Sequence, residues 1–205
     1  MANKDKPCGL KPVKYLNGSP WNGKVTMYYH NTTSTSAIYK GTCVAINADG
    51  ADATGKYMGC DLAAANATVL GVAVGFSNTP NLAMDPTSLE RNYCPASTAM
   101  YIAVVDDPNV VFEAQEDNDG SAYMTASAVG NVAVLAAHSG GSTTTGLSTA
   151  ELDSSDVAST AIASHPLLIV GVSDRPDNEM GSSASHTKWL VTIQDHQFKT
   201  GAAGL

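Results

Sequence analysis

Apolar and polar positions alternate with a period of two along much of this chain, most clearly over residues 97–120. Met100, Ile102 and Val104 alternate with Tyr101, Ala103 and Val105. Both sets are apolar, which predicts a strand covered on both sides. Asp106-Asp107-Pro108-Asn109 stops it, because proline presets one turn torsion and aspartate bonds back to the backbone. A half-buried strand returns, with Val110, Phe112 and Ala114 on one face and Val111, Glu113 and Gln115 on the other. The pattern predicts a hairpin at the centre of an all-β core.

The same reading predicts strands at Val25–His30, Ala37–Ile46 (broken at Gly41), Thr68–Phe76, Asn131–Ala137, Leu167–Val172 and Lys188–Phe198. In Thr68–Phe76, Leu70, Val72, Val74 and Phe76 are expected on one face, with Gly71, Ala73 and Gly75 on the other. In the last strand Trp189, Val191 and Ile193 share a face. Helix is expected only at Ala122–Gly130 and as one turn at Ala63–Ala67. Residues 139–159 are rich in Ser, Thr, Gly and Asp and read as a long loop, with room for one helical turn near Asp156. The strand-loop-strand cycle of Lys40–Phe76 partly recurs at Val132–Val172, each ending in apolar-Gly-Val, a match too short to call a repeat. Eight or nine short strands predict a β-sandwich, jelly roll or barrel-like domain with long loops.

Composition divides the chain. Its 205 residues are long enough for a core without staples. Residues 1–24 are rich in Pro, Gly and Lys and read as an extended N-terminal arm. Residues 25–198 form a single β-rich domain, and 199–205 a flexible C-terminal tail. Residues 1–40 carry six lysines against one acid, a net of +5, which leaves −13 on residues 41–205 out of the total of −8. An acidic body argues against wrapping nucleic acid. A basic arm on that body suggests an acidic docking partner. Lys4, Lys6, Lys11 and Lys14 supply charge and Tyr15 and Trp21 supply apolar anchors, so these six are the candidate interface residues. The N-terminal ten residues have no apolar core of the kind export requires, and no apolar run is long enough to span a membrane. Cys8, Cys43, Cys60 and Cys94 form no C-x-x-C pair and read as free thiols.

No motif promises chemistry. Gly141–Ser148 has the spacing of a phosphate loop, but Leu147 stands where the lysine is needed. Asp117-Asn118-Asp119-Gly120 fails the calcium-loop pattern, with Gln115 and Ala126 at the end positions. The five histidines make no metal or zincin spacing. The reading is therefore a protein that is not an enzyme, with no catalytic residue, cofactor or metal.

Four stretches, ANKDKPCGLKPVKYLNGSPWNG, DDPNVVFEAQED, GSTTTGLSTAELDSS and VGVSDRPDNEMG, resemble a group of structural head proteins from tailed bacteriophages. These are generally read as capsid decoration or cement proteins. The resemblance implies a β-rich virion protein on the capsid exterior, assembled in the host cytoplasm. Its partners would be the major capsid protein and itself, as a homotrimer, with neither nucleic acid nor membrane. Two alternatives stay open. One is another virion component: a tail-tube, head-fibre or receptor-binding subunit. The other is a glycan-binding β-sandwich, which needs an aromatic cluster; Tyr28, Tyr29 and Tyr39 are the tyrosines placed to gather.

Overall fold

The structure, a computed structural model, describes residues 3–47, 50–80, 91–119, 123–160, 164–180 and 186–199. The expected tail beyond residue 199, and parts of the loops around 81–90 and 181–185, lie outside the described residues. Eleven strands follow in order: β1 Lys11–Tyr15, β2 Thr26–His30, β3 Cys43–Ile46, β4 Cys60–Leu62, β5 Gly71–Ser77, β6 Met100–Val105, β7 Val110–Gln115, β8 Val132–Ala136, β9 Glu151–Ala158, β10 Leu167–Val172 and β11 Lys188–Ile193. They form two antiparallel sheets packed as a β-sandwich, ordered β1-β7-β11-β10-β8-β9 and β2-β6-β5-β3-β4.

The two orders contain the same arrangement twice. Strands β2, β3, β4, β5 and β6 take the places in one sheet that β7, β8, β9, β10 and β11 take in the other. The detail repeats too. The β5–β6 register breaks between Ala73 and Gly75, and the β10–β11 register between Ile169 and Gly171. A parallel bridge joins the outer strands' ends in each: Tyr29 to Gly59, and Glu116 to Leu152. The strand order is thus an internal structural duplication, in which Gly75 corresponds to Gly171; the short apolar-Gly-Val echo at Leu70-Gly71-Val72 is out of register with it. The duplication escapes a sequence reading because sheets constrain pairing and burial while tolerating many side chains at each position.

Several sequence expectations are corrected. Residues 100–115 do form two strands, but not a hairpin. β6 pairs with β2 and β5, whereas β7 pairs with β1 and β11. The turn between them carries the chain from one sheet to the other. The Asp106 carboxylate accepts from Thr26 Oγ1 at 3.1 Å and Tyr28 Oη at 2.8 Å, which holds the turn to β2 and keeps it from closing β6 on β7. In β5 the bulge breaks the alternation: Val72 and Val74 pack on one core, while Ala73 and Phe76 pack on the other. The loop expected at 139–159 contains β9. Its polar centre, residues 153–156, bulges out, with Asp153 Oδ1 accepting from the Ser155 and Asp156 amides while Leu152 and Val157 stay in register with β8. The helix expected at Ala122–Gly130 is only a 3-10 turn at Ala126–Ala128, because Thr125 is extended and supplies no side-chain cap. Ala64–Ala67 is a simple turn.

The sandwich holds two cores. The larger gathers Phe112, Trp189, Val191, Leu167 and Leu152 from the six-stranded sheet with Val72 and Val105 from the other. The smaller lies within the five-stranded sheet, around Tyr28, Val44, Ile102 and Val104. Each large side chain buried in them contributes about 1.5–3 kcal/mol.

The N-terminal segment belongs to this fold. Leu10 is 1% exposed in the larger core, and β1 adds to the edge of β7. Its outer edge is covered by the chain's own return, with the Tyr15 amide donating to Ser19 and the Trp21 amide to Val13. Passage beside β3 requires glycine on both sides. Gly9 and Gly41 have φ of +66° and +90°, and a Cβ on Gly9 would collide with the Gly41 carbonyl.

Candidate docking face

The duplication makes equivalent faces directly comparable. On β7, the outward positions Glu113 and Gln115 are 7% and 3% exposed although both are polar. They are covered from within the chain. Glu113 accepts from Arg175 Nη1 at 2.9 Å and from Ser173 Oγ, and Gln115 Oε1 accepts from the Lys6 amide at 3.1 Å. Asn3 extends the cover, exchanging hydrogen bonds with the Glu179 backbone. The N-terminal segment and the 173–179 loop thus form a lid over that face.

The corresponding positions on β2 are Met27 and Tyr29, and they are half-exposed. Alongside them the surface is a trough of about 400 Å³ floored by Val25, Val74, Gly75 and Ala103 and walled by Trp21 and Lys11. A second hollow of about 210 Å³ continues it past Pro12 to Lys40 and Leu147, with Cys8 and Leu10 at its base. Lys11 and Lys40 are the cations on its rim. The Trp21 indole N–H is buried without a hydrogen-bond partner. An orphaned donor of this kind costs about 1–3 kcal/mol.

Further along the same face, three tyrosines meet. Tyr29 and Tyr101 are cross-strand partners with ring centroids 5.5 Å apart, and Tyr57 meets Tyr101 edge-on at 5.3 Å. Asp52 steadies the group, lying 3.4 Å from Tyr101 Oη and accepting from the Lys56 and Tyr57 amides. The tyrosines expected to gather were Tyr28, Tyr29 and Tyr39, and only Tyr29 joins this cluster. Tyr28 is in the smaller core, and Tyr39 stacks on Tyr93 at 5.1 Å. Cross-strand register, invisible in the sequence, chose the partners.

Of the six candidate interface residues, Lys4, Lys6, Lys11 and Lys14 are exposed, whereas Tyr15 and Trp21 are half-buried against their own domain. Tyr15 Oη donates to Asn22 Oδ1 at 2.8 Å. Lys11 and Trp21 come together in the trough. Lys40 was missed because it lies outside the arm.

Other chemistry-bearing groups resolve into structural roles. In the phosphate-like loop, the amides of Ser142, Gly146 and Ser148 donate to Leu147, Ser142 and Lys40 carbonyls, and those of Thr145 and Leu147 donate to loop hydroxyls. A phosphate would find those donors already committed. His30 lies 3.2 Å from Cys94 Sγ and 3.8 Å from Asp61, a nucleophile-base-acid sequence in space. Both His30 and Cys94 are fully buried, and burial pushes the Cys94 thiol up to about 12, away from the thiolate a nucleophile needs. All four cysteines are free. Among the described residues, Asp5, Glu151 and His186 could offer ligand atoms within 4.8 Å of one another. Two carboxylates and an imidazole would suit a borderline divalent ion. The Gln115 amide already sits among them, donating to Glu151 at 2.8 Å and Asp5 at 3.2 Å.

Comparison with family models, curated proteins and solved structures finds no match to this chain.

Proposed function

We propose that this chain is a non-enzymatic virion structural protein, a capsid decoration or cement protein that binds the exterior of an assembled phage head through the major capsid protein. The observation that carries the reading is the contrast between the two halves. The outward face of β7 has an intramolecular lid, while the equivalent face of β2 and β6 is left open beside an apolar trough with lysines at its rim. A face of this kind suits docking on a larger body, and the resemblance of four sequence stretches to phage head proteins names that body. Shallow contacts repeated over a lattice hold strongly although each is weak. Homotrimers would match three-fold positions of a shell. The test compares heads assembled with and without the protein: those lacking it should burst at a lower temperature, and equal heat resistance would defeat the cement role.

The tyrosine cluster favours one second reading, a glycan-binding β-sandwich, since half-exposed rings can stack on sugar faces. Saturable binding on a glycan array, lost in Tyr29→Ala and Tyr101→Ala, would support it over the shell reading.

A further inference from the structure

Resting on the shell-binding reading, we infer that the trough between β1 and the β5–β6 face receives an extended segment of the shell protein, apolar along its length and flanked by carboxylates. Three observations on the molecule define this occupant. The first is the duplication. The equivalent face of the other half is covered by residues 3–8, which make no turn, together with the 173–179 loop, which turns at Pro176-Asp177, so a turn-free segment like residues 3–8 is a cover this sheet geometry accepts. The second is the floor. Val25, Val74 and Ala103 offer apolar contact, and Gly75 leaves a gap in which a side chain of the occupant fits. The third is charge. Lys11 and Lys40 stand at the rim, within the stretch of the chain that is +5, while the rest of the molecule is −13. Carboxylates on the occupant would meet the lysines, and the acidic remainder would steer it to this face and away from the rest.

The structure supplies clean variants for the test. An added Cβ at Gly75 would sit 3.5 Å from the Ala103 Cβ, an ordinary contact, and no left-handed φ is involved, so Gly75→Leu fills the trough without straining β5. Lys11→Glu with Lys40→Glu reverses the rim charge on two exposed or half-exposed side chains. Binding of wild type and both variants to heads assembled without this chain is measured by co-sedimentation, after circular dichroism and melting show that the variants keep their fold. Zero-length carbodiimide coupling, which joins an amine to a touching carboxylate, is then mapped on wild-type particles by mass spectrometry. The expected result is wild-type binding, at least a tenfold loss in both variants, and Lys11 or Lys40 joined to aspartate or glutamate of the shell protein. If wild type binds and both folded variants bind equally well, the trough is not the docking site, although the shell reading stands. Coupling of Lys11 or Lys40 to a second copy of this chain overturns the assigned occupant. If wild type does not bind heads, the shell reading fails, and the occupant named here fails with it.

Discussion

The two sheets solve the same folding problem with the same strand order and end with opposite surfaces. In the half built from β7 to β11, strand β7 is buried along its whole length, because β1 covers its edge and the N-terminal segment covers its face. In the half built from β2 to β6, strand β2 is an edge strand with exposed and half-exposed positions, Thr26, Met27 and Tyr29. The N-terminal segment is one piece of chain and can cover only one of the two equivalent faces. The interior follows the same division. Trp189 and the buried Glu116 lie in the covered half, where the open half has Ile102 and His30 near the corresponding positions. Symmetry of topology does not carry symmetry of surface: one copy of the face is covered and the other is left open.

The largest expected effects probe the cores. Trp189→Ala should lower unfolding free energy by about 3–5 kcal/mol, and Ile102→Val in the other half by about 0.5–1.5 kcal/mol. Because the larger core contains Val72 and Val105 as well as Trp189, both halves should unfold together. Urea curves followed by Trp fluorescence and by circular dichroism should coincide; two separated transitions would break the comparison by making the halves independent.

Next comes the lid. Arg175→Ala leaves the buried Glu113 carboxylate without its ion pair, at an expected cost of about 1–2 kcal/mol given that the arginine is partly solvated. Met27→Ala, at the open half's counterpart of Glu113, should cost under about 1 kcal/mol. Equal losses measured by urea denaturation would mean that the two faces are covered alike.

Protonation separates the halves further. Burial pushes the Glu116 carboxyl above its ordinary value, despite donation from the Met124 and Thr187 amides and the Trp189 indole. The native state therefore holds that proton more tightly than the unfolded chain. Its contribution to stability is complete below the ordinary carboxylate range and is lost as pH rises through the raised value. Glu116→Gln should flatten that decline in a series of urea midpoints, whatever it does to stability at a single pH. An unchanged slope would show that Glu116 is charged in both states.

The smallest effect is expected at the tyrosine cluster. Tyr29→Ala removes a cross-strand aromatic pair on a half-exposed face and should cost about 0.2–1 kcal/mol. A loss above ~2 kcal/mol by urea denaturation would make the cluster a structural support and remove it from the open face.

The sequence by itself determined the all-β class, most of the strands and the charge imbalance. Period-two alternation and turn residues are local signals, and they are strong at Met100–Val105, Val110–Gln115 and Leu167–Val172. It also singled out Lys4, Lys6, Lys11, Lys14, Tyr15 and Trp21 as candidates, because a lysine-rich segment with large anchors stands out in composition alone, and of these Lys11 and Trp21 line the trough. Tertiary structure decided which strands pair. Asp106 and its bonds to β2 turned an apparent hairpin into a crossing between sheets, and the wide bulge at 153–156 hid β9 inside a polar run. It alone revealed the duplication, because two sequences can share register, bulges and burial with few residues in common. It alone brought Lys40 to the rim beside Lys11 and set Tyr57 against Tyr101. Those contacts depend on strand order, which arises from burying all the apolar faces at once and is encoded in no single stretch of the chain.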